Sequence, residues 1–117
     1  VTLADLLLQR GDTARGAEAL ESAIFMNPYD ISLHARLATL YTRTGDTRKA
    51  VRERRAVVAL KPVDIADAQY NLAVAYRAAG DAASARRSVL RALEAAPHFQ
   101  RAQDLLLDLR GSPGGRP

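Results

Sequence analysis

The sequence predicts an all-α fold, a solenoid of antiparallel helix pairs. Three Gly-Asp pairs recur at intervals of 34 and then 35 residues, beginning at Gly11, Gly45 and Gly80. A proline follows the glycine of each pair after 17 residues, at Pro28, Pro62 and Pro97. Two marks that keep the same spacing three times indicate one structural unit used three times along the chain.

Each unit contains two amphipathic segments. Before the second Gly-Asp pair, Leu37, Ala38 and Tyr41 are spaced i, i+1, i+4, which forms one stripe on a helix. After each pair a second stripe recurs at i, i+4, i+7, again on one helical face, and its members are apolar or glycine except for Arg54 in the second unit. Glycine can end the first helix in the left-handed conformation, aspartate can cap the second, and proline stops it. Each unit is therefore predicted to be helix, tight turn, helix, stop.

The pattern gives a map of the chain. We expect helices near residues 1–9, 13–26, 31–43, 47–60, 66–78, 82–95 and 99–110. The corresponding domain spans 1–110, with repeats at 1–30, 31–64 and 66–99, a C-terminal capping helix at 100–110, and a disordered Gly/Pro-rich tail at 111–117. Because such units bury their apolar faces only by stacking, three units and a cap are about the minimum for stability.

The sequence contains few features that would indicate a catalytic or metal-binding site. The chain has no cysteine and no Gly-rich phosphate loop. The spaced aspartates are interpreted as helix caps and solvated faces, and His34 as a packing residue. We therefore expect no enzyme activity, no cofactor and no metal site. The aspartates concerned are Asp5, Asp12, Asp64, Asp67, Asp104 and Asp108.

The charge pattern is less decisive. The chain carries a net charge of +4, but 15 of its 17 basic residues are arginine, which with abundant alanine indicates a GC-rich bacterial coding bias. Only 5 % of residues are aromatic, so few rings can stack on bases and nucleic-acid binding is not expected. No apolar run is long enough to span a membrane. The chain starts at Val1 without a basic leader, and we expect a cytoplasmic piece of a longer protein.

These repeats resemble the tetratricopeptide repeat (TPR) family, whose pattern runs W-x2-L-G-x2-Y, A-x3-F, A and P over 34 residues. The runs that match start at His34 and Gln69, in the tryptophan position, and end at Pro62 and Pro97. The resemblance covers about residues 1–110. Pentatricopeptide repeats, which bind single-stranded RNA, are the weaker alternative because the Ala-rich second helices and terminal prolines follow the TPR pattern.

The resemblance implies a right-handed superhelix whose first helices line a concave groove, and hence a protein-interaction scaffold that binds a peptide or protein. Asn71 matches a groove asparagine that many TPR domains use to hold a peptide backbone, and the arginines of the groove offer forks for carboxylates. A chaperone-tail clamp is not expected, because Val1, Asp5 and Asp67 stand where that clamp has base or amide. The expected groove residues are Arg36, Thr39, Arg43, Tyr70, Asn71, Val74, Arg77 and Arg101.

Two further features stand apart from the groove. A basic stripe on the convex side is interpreted as a solvated face, with a phosphate contact as the alternative; it comprises Arg48, Lys49, Arg52 and Arg55. Arg54 falls on the packing stripe, and we expect its stem to be covered and its head to bond to Asp64, Asp67 or a carbonyl of the lengthened turn after Pro62.

Both ends of the chain are rich in leucine. Leu105 and Leu109 belong to a group of four leucines in the last helix, and four more lie within residues 3–8. Exposed apolar stripes mark interfaces. The alternative function is therefore an oligomerising or structural C-terminal segment of a larger bacterial protein, with a homo-oligomer formed through the terminal helices.

Overall fold

The computed structural model describes residues 3–111, with side chains from Gly11 to Arg110. This part of the chain forms α-helices joined by short turns, without a strand, which confirms the all-α fold. The helices are α1 (Leu3–Met26), α2 (Ile31–Thr44), α3 (Thr47–Ala59), α4 (Ile65–Ala78), α5 (Ala82–Ala95) and α6 (Gln100–Gly111).

The Gly-Asp turns of the second and third units have the predicted geometry. Gly45 and Gly80 take the left-handed conformation, with φ of 80° and 84°. The next N–H, from Asp46 or Asp81, donates to the carbonyl five residues back at 2.9 Å. The same two aspartates then cap α3 and α5 by accepting from backbone N–H groups three residues on, at 3.4 and 3.0 Å. One dipeptide thus closes one helix and opens the next.

Each helix packs mainly on its neighbours in sequence, and the α4–α5 contact is the most extensive. One core cluster joins α1, α2 and α3, and the other joins α4, α5 and α6. Small residues bring the backbones close: a Cβ at Gly16 would lie only 3.4 Å from Leu40 Cδ1. The buried members are Ala17, Leu37, Tyr41 and Ala50 in the first cluster, and Ala73, Ala85, Val89, Ala92, Ala102, Leu105 and Leu109 in the second.

The first unit departs from the prediction. Helices near 1–9 and 13–26 were expected, but α1 is one 24-residue helix that runs through Gly11 and Asp12. Glycine inside a helix costs about 1 kcal/mol, so a Gly-Asp pair permits a turn without requiring one. In the later units the turn is fixed by packing, because the helix before the glycine buries side chains such as Leu37 and Leu72 against its neighbours.

The linker between the second and third units is longer than the others, as the sequence predicted. Residues 60–64 separate α3 from α4, whereas 27–30 and 96–99 form the other linkers between units. Lys61 has φ of 57°, the only positive φ of a non-glycine residue within 3–111. This left-handed residue lies just before Pro62, whereas the extra residue of the 35-residue interval lies after Pro62, because Gly45 and Pro62 keep the 17-residue spacing of the other units.

Most leucines of α6 pack against other helices of the same chain. Leu105 is 3 % and Leu109 is 1 % exposed, and both pack into the cluster formed with α4 and α5. These two leucines therefore belong to the core of the chain, because α6 presents them to α5 and to its partner α4. Self-association through the terminal helices stays a prediction. Leu107 remains exposed at 64 %. The leucines of residues 3–8 lie outside the part with described side chains.

Candidate functional site

The expected groove residues lie on α2, α4 and α6, the helices that begin the second and third units and the cap. The expected residues on α2 are exposed, as are Arg77 on α4 and Arg101 on α6. The three other residues on α4 are half-buried. The exposed set is Arg36, Thr39, Arg43, Arg77 and Arg101, and the half-buried set is Tyr70, Asn71 and Val74.

Asp67 is the centre of a cluster that links α4 to α6. Asn71 Nδ2 donates to one of its carboxylate oxygens at 3.2 Å, and Arg101 Nη2 donates to the other, also at 3.2 Å. Asp67 is thus a positioning residue for two of the expected groove residues. Because each oxygen of the carboxylate takes one donor, the amide and the guanidinium are oriented before any ligand arrives.

Two aromatic rings support the same guanidinium. The Arg101 guanidinium carbon lies 4.8 Å from the Tyr70 ring centre and 5.1 Å from that of Phe99. The rings contact each other at 5.4 Å with an angle of 44°. Phe99 and the central role of Asp67 were missed from the sequence, since Phe99 lies in the linker before α6 and reaches Tyr70 only when α6 packs on α5.

Three cavities border this cluster. One of about 470 Å³ lies beside Asp67 between the start of α4 and the α5–α6 linker, and includes Phe99 and Arg101. A second of about 170 Å³ lies between α2, α3 and α4 and includes Asn71 and Val74. A third of about 150 Å³ lies between α4 and α6. An extended segment passing from α2 to α6 would cross the last two.

Arg54 reaches the groove, but not by the expected hydrogen bond. Its Nη2 donates to Thr39 Oγ1 at 3.4 Å, and its stem lines the cavity shared with Asn71. The prediction of covered methylenes was right, whereas the predicted partner was wrong, because the guanidinium donates to Thr39 of α2 and makes no hydrogen bond to Asp64 or Asp67. Burial lowers the pKa of the Arg54 guanidinium, and the charge of Asp67 opposes that shift.

The three arginines proposed as carboxylate forks differ in availability. Arg77 Nη1 lies 3.7 Å from Asp108 Oδ2, so an acidic partner from α6 already stands near it. Within the described part of the chain, Arg36 and Arg43 make neither an ion pair nor a side-chain hydrogen bond. Exposed pairs contribute little to stability, so Arg77 can also exchange its partner.

The convex stripe carries an aromatic contact that the sequence did not indicate. Lys49 Nζ lies 5.4 Å and the Arg52 guanidinium carbon 5.7 Å from the ring centre of Tyr41, which comes from α2. Tyr41 donates its hydroxyl to Glu21 of α1. Burial together with this carboxylate raises the pKa of Tyr41 to about 12, so the hydroxyl stays protonated.

No group of three or more metal-ligating side chains suited to an ion occurs among the described residues. None of the helices described between residues 3 and 111 combines the length and apolarity that crossing a bilayer requires.

Helices paired by Gly-Asp turns and stacked on their neighbours in sequence define a helical-repeat protein. The family model for the tetratricopeptide repeat matches residues 35–98, more than half of the chain. The chain belongs to the tetratricopeptide repeat family.

Among solved structures, the chain is similar to the first TPR domain of Spaghetti (RPAP3), which was solved bound to the HSP90 peptide SRMEEVD. The TM-score is 0.73 at 20 % identity, and the match covers 92 % of this chain and 84 % of that one. At this identity the likeness concerns the fold. The comparison with curated proteins found no match.

Proposed function

We propose that this chain is a non-catalytic protein-interaction scaffold that binds an extended peptide segment in the groove lined by α2, α4 and α6. The observation that carries the proposal is the pre-oriented pair of Asn71 and Arg101 on Asp67, beside open cavities. Preorganised side chains bind with less loss of conformational entropy. The use of the fold by Spaghetti to hold an HSP90 peptide supports the same general role.

The side chains of the groove indicate which chemical groups a bound peptide should present to them. Asn71 keeps an amide oxygen free to accept from a peptide N–H, while its Nδ2 is held by Asp67. Arg36 and Arg43 present guanidiniums free of internal partners to acidic side chains of the segment. Asp67 favours an internal stretch of peptide over a terminal carboxylate, because its negative charge occupies the centre of the site.

A peptide library displayed on phage, panned against the full chain, supplies ligands for the test. Affinities measured by fluorescence anisotropy are then compared for the wild type and for Arg36→Glu combined with Asn71→Ala. We expect the double variant to abolish binding with an unchanged circular dichroism spectrum. Arg48→Glu is the matched control, because Arg48 is an exposed arginine on the convex stripe.

Binding that survives in the groove variant but is lost with Arg48→Glu would place the peptide on the convex face and refute the proposal. Light scattering on the same samples tests the alternative role as an oligomerising segment, for which a stable dimer of the wild-type chain is the expected result.

A further inference from the structure

The second and third units are in register, so their positions can be compared directly. Between them the interval is 35 residues, as the glycines at 45 and 80 and the prolines at 62 and 97 show. His34 therefore corresponds to Gln69, Glu53 to Ser88 and Arg52 to Arg87. One difference between the two units is the charge that lies between their paired helices.

In the second unit an internal carboxylate fills this position. Glu53 is only 5 % exposed. Its Oε1 lies 2.7 Å from His34 Nδ1, and its Oε2 accepts from Arg52 Nε, also at 2.7 Å. A buried oxyanion thus sits between an imidazole and a guanidinium.

In the third unit the same place has donors but no anion. Gln69 is 7 % exposed, and its Oε1 is buried without a hydrogen-bond partner. Ser88, which replaces the glutamate, is 2 % exposed and too short to reach across. Arg87 turns to Ser84, donating from Nη2 to Oγ at 2.8 Å. An unsatisfied buried amide is costly, and natural proteins carry few of them.

A cavity of about 270 Å³ opens at this place, between α3, α4 and α5. Three guanidiniums border it, and among the described residues Arg55 and Arg91 make no ion pair. None of its lining residues is acidic; the set is Arg55, Val58, Ala59, Gln69, Leu72, Tyr76, Ser84, Arg87, Ser88 and Arg91. Asp81 lies outside the lining, near enough to Arg87 to feel its charge.

We propose that this cavity is a binding site for a phosphoryl group, which takes the place that the Glu53 carboxylate occupies in the preceding unit. Three guanidiniums and two serine hydroxyls offer more donors than a carboxylate can use, and they suit the three oxygens and double charge of a phosphate monoester. Rotating the Gln69 amide by a half-turn exchanges Oε1 for Nε2, which then donates to the anion.

This site goes beyond the peptide groove and shares no lining residue with the cavities around Asp67. The phosphoryl group can belong to a phosphorylated side chain of a partner protein or to a small phosphorylated compound. The chemistry of recognition is the same for both, and the probes below separate them.

The test uses the full chain with inorganic phosphate, phenyl phosphate and a short phosphoserine peptide as probes. Binding is followed by NMR of the arginine Nε–Hε groups and by calorimetry. We expect the Arg55, Arg87 and Arg91 signals to shift together, and Arg91→Gln to weaken binding by about tenfold or more. Arg48→Gln removes the same charge from α3 outside the cavity and is expected to change the affinity less than about twofold.

A second variant restores the arrangement of the preceding unit. Gln69→His combined with Ser88→Glu is expected to place an internal ion pair in the cavity and abolish phosphate binding. Tighter binding of the peptide than of phenyl phosphate assigns the site to proteins, and the reverse order assigns it to small compounds. Equal losses in Arg91→Gln and Arg48→Gln, or unchanged binding in the folded double variant, would overturn the proposal.

Discussion

His34 Nδ1 and Glu53 Oε1 lie 2.7 Å apart in the interior, while Nε2 of the same ring lies 2.8 Å from the carbonyl oxygen of Pro28. A carbonyl can only accept, and Glu53 also accepts from Arg52, as a carboxylate does. Both ring nitrogens therefore donate when the imidazole is protonated. The ring joins the first interhelical linker to α3, and its charge state is coupled to the fold.

This geometry predicts a stability that depends on pH. Burial disfavours the imidazolium, but the bonds to Pro28 and Glu53 outweigh that effect, and the pKa of His34 is raised above 6.5. A raised pKa in the folded state means that the contribution is complete below about pH 6.5 and is lost as pH rises through the folded value. We expect the urea midpoint to fall as the pH rises above about 6.5.

His34→Gln is the control for this dependence, since glutamine fills the corresponding position in the third unit. The variant should be less stable than the wild type at about pH 6 and should lose most of the slope above it. Glu53→Gln should cost about 1–3 kcal/mol at the same pH, because a charge-assisted bond is lost in the interior. A slope that persists in His34→Gln would assign the pH dependence to another group.

The continuous α1 predicts opposite effects for two glycine substitutions. Gly11→Ala should stabilise the chain by about 0.5–1 kcal/mol, because alanine is the better helix former and the added Cβ meets only Arg15, at 3.8 Å. Gly45→Ala should destabilise by about 1–2 kcal/mol, since φ is 80° there. Thermal unfolding measures both. A loss of stability in Gly11→Ala would indicate a left-handed turn at Gly11 in solution.

The leucines of α6 should separate into core and surface positions. Leu109→Ala is expected to cost about 2–5 kcal/mol, because the side chain is 1 % exposed and its removal leaves a cavity. Leu107→Gln should change stability by less than about 0.5 kcal/mol. Light scattering on the Leu107 variant also tests self-association: a dimer that persists must use a surface other than this leucine.

Arg54 offers a test of partly buried charge. Arg54→Leu should leave the free energy of unfolding unchanged or raise it, because burial already disfavours the guanidinium and Thr39 is a neutral partner at 3.4 Å. Arg54→Ala should cost about 1–2 kcal/mol through lost packing of the stem. Denaturant melts of both variants measure these free energies. An equal loss with leucine and with alanine would mean that the charge itself stabilises the fold, because both variants remove the charge and only leucine retains packing at this position.

The sequence predicted the features that residues close together in the chain determine, namely turns, helix caps and buried helix faces. The Gly-Asp dipeptides at Gly45 and Gly80 permit the left-handed turn and the helix cap, and the apolar spacing predicts the buried helix faces whose packing then fixes the turn. The continuity at Gly11 was not predictable, because the same dipeptide is compatible with a helix and the outcome depends on packing. Long-range contacts were also invisible, as with Arg101 and Asp67, which are 34 residues apart.

The candidate site was predicted as a face and not as a set of contacts. Asn71 and Arg101 were predicted as groove residues, and the structure joins them through the carboxylate of Asp67, which was interpreted from the sequence as a capping or solvated residue. The partner of His34 was missed for the same reason: Glu53 lies on the stripe of a helix that looks solvated until α2 covers it. Pairings between helices depend on side-chain direction as well as register.

Each helix packs mainly on the one before it and the one after it. The free energy of folding is therefore approximately a sum of contributions from each unit and from each interface between neighbouring units. Most stabilising contacts are close in sequence, which favours rapid folding that can start at any interior hairpin and spread outward. The α4–α5 hairpin, with the most extensive contact, is the natural nucleus. Amide exchange should accordingly be slowest there and faster towards α1 and the end of α6, so that the protein opens from its ends.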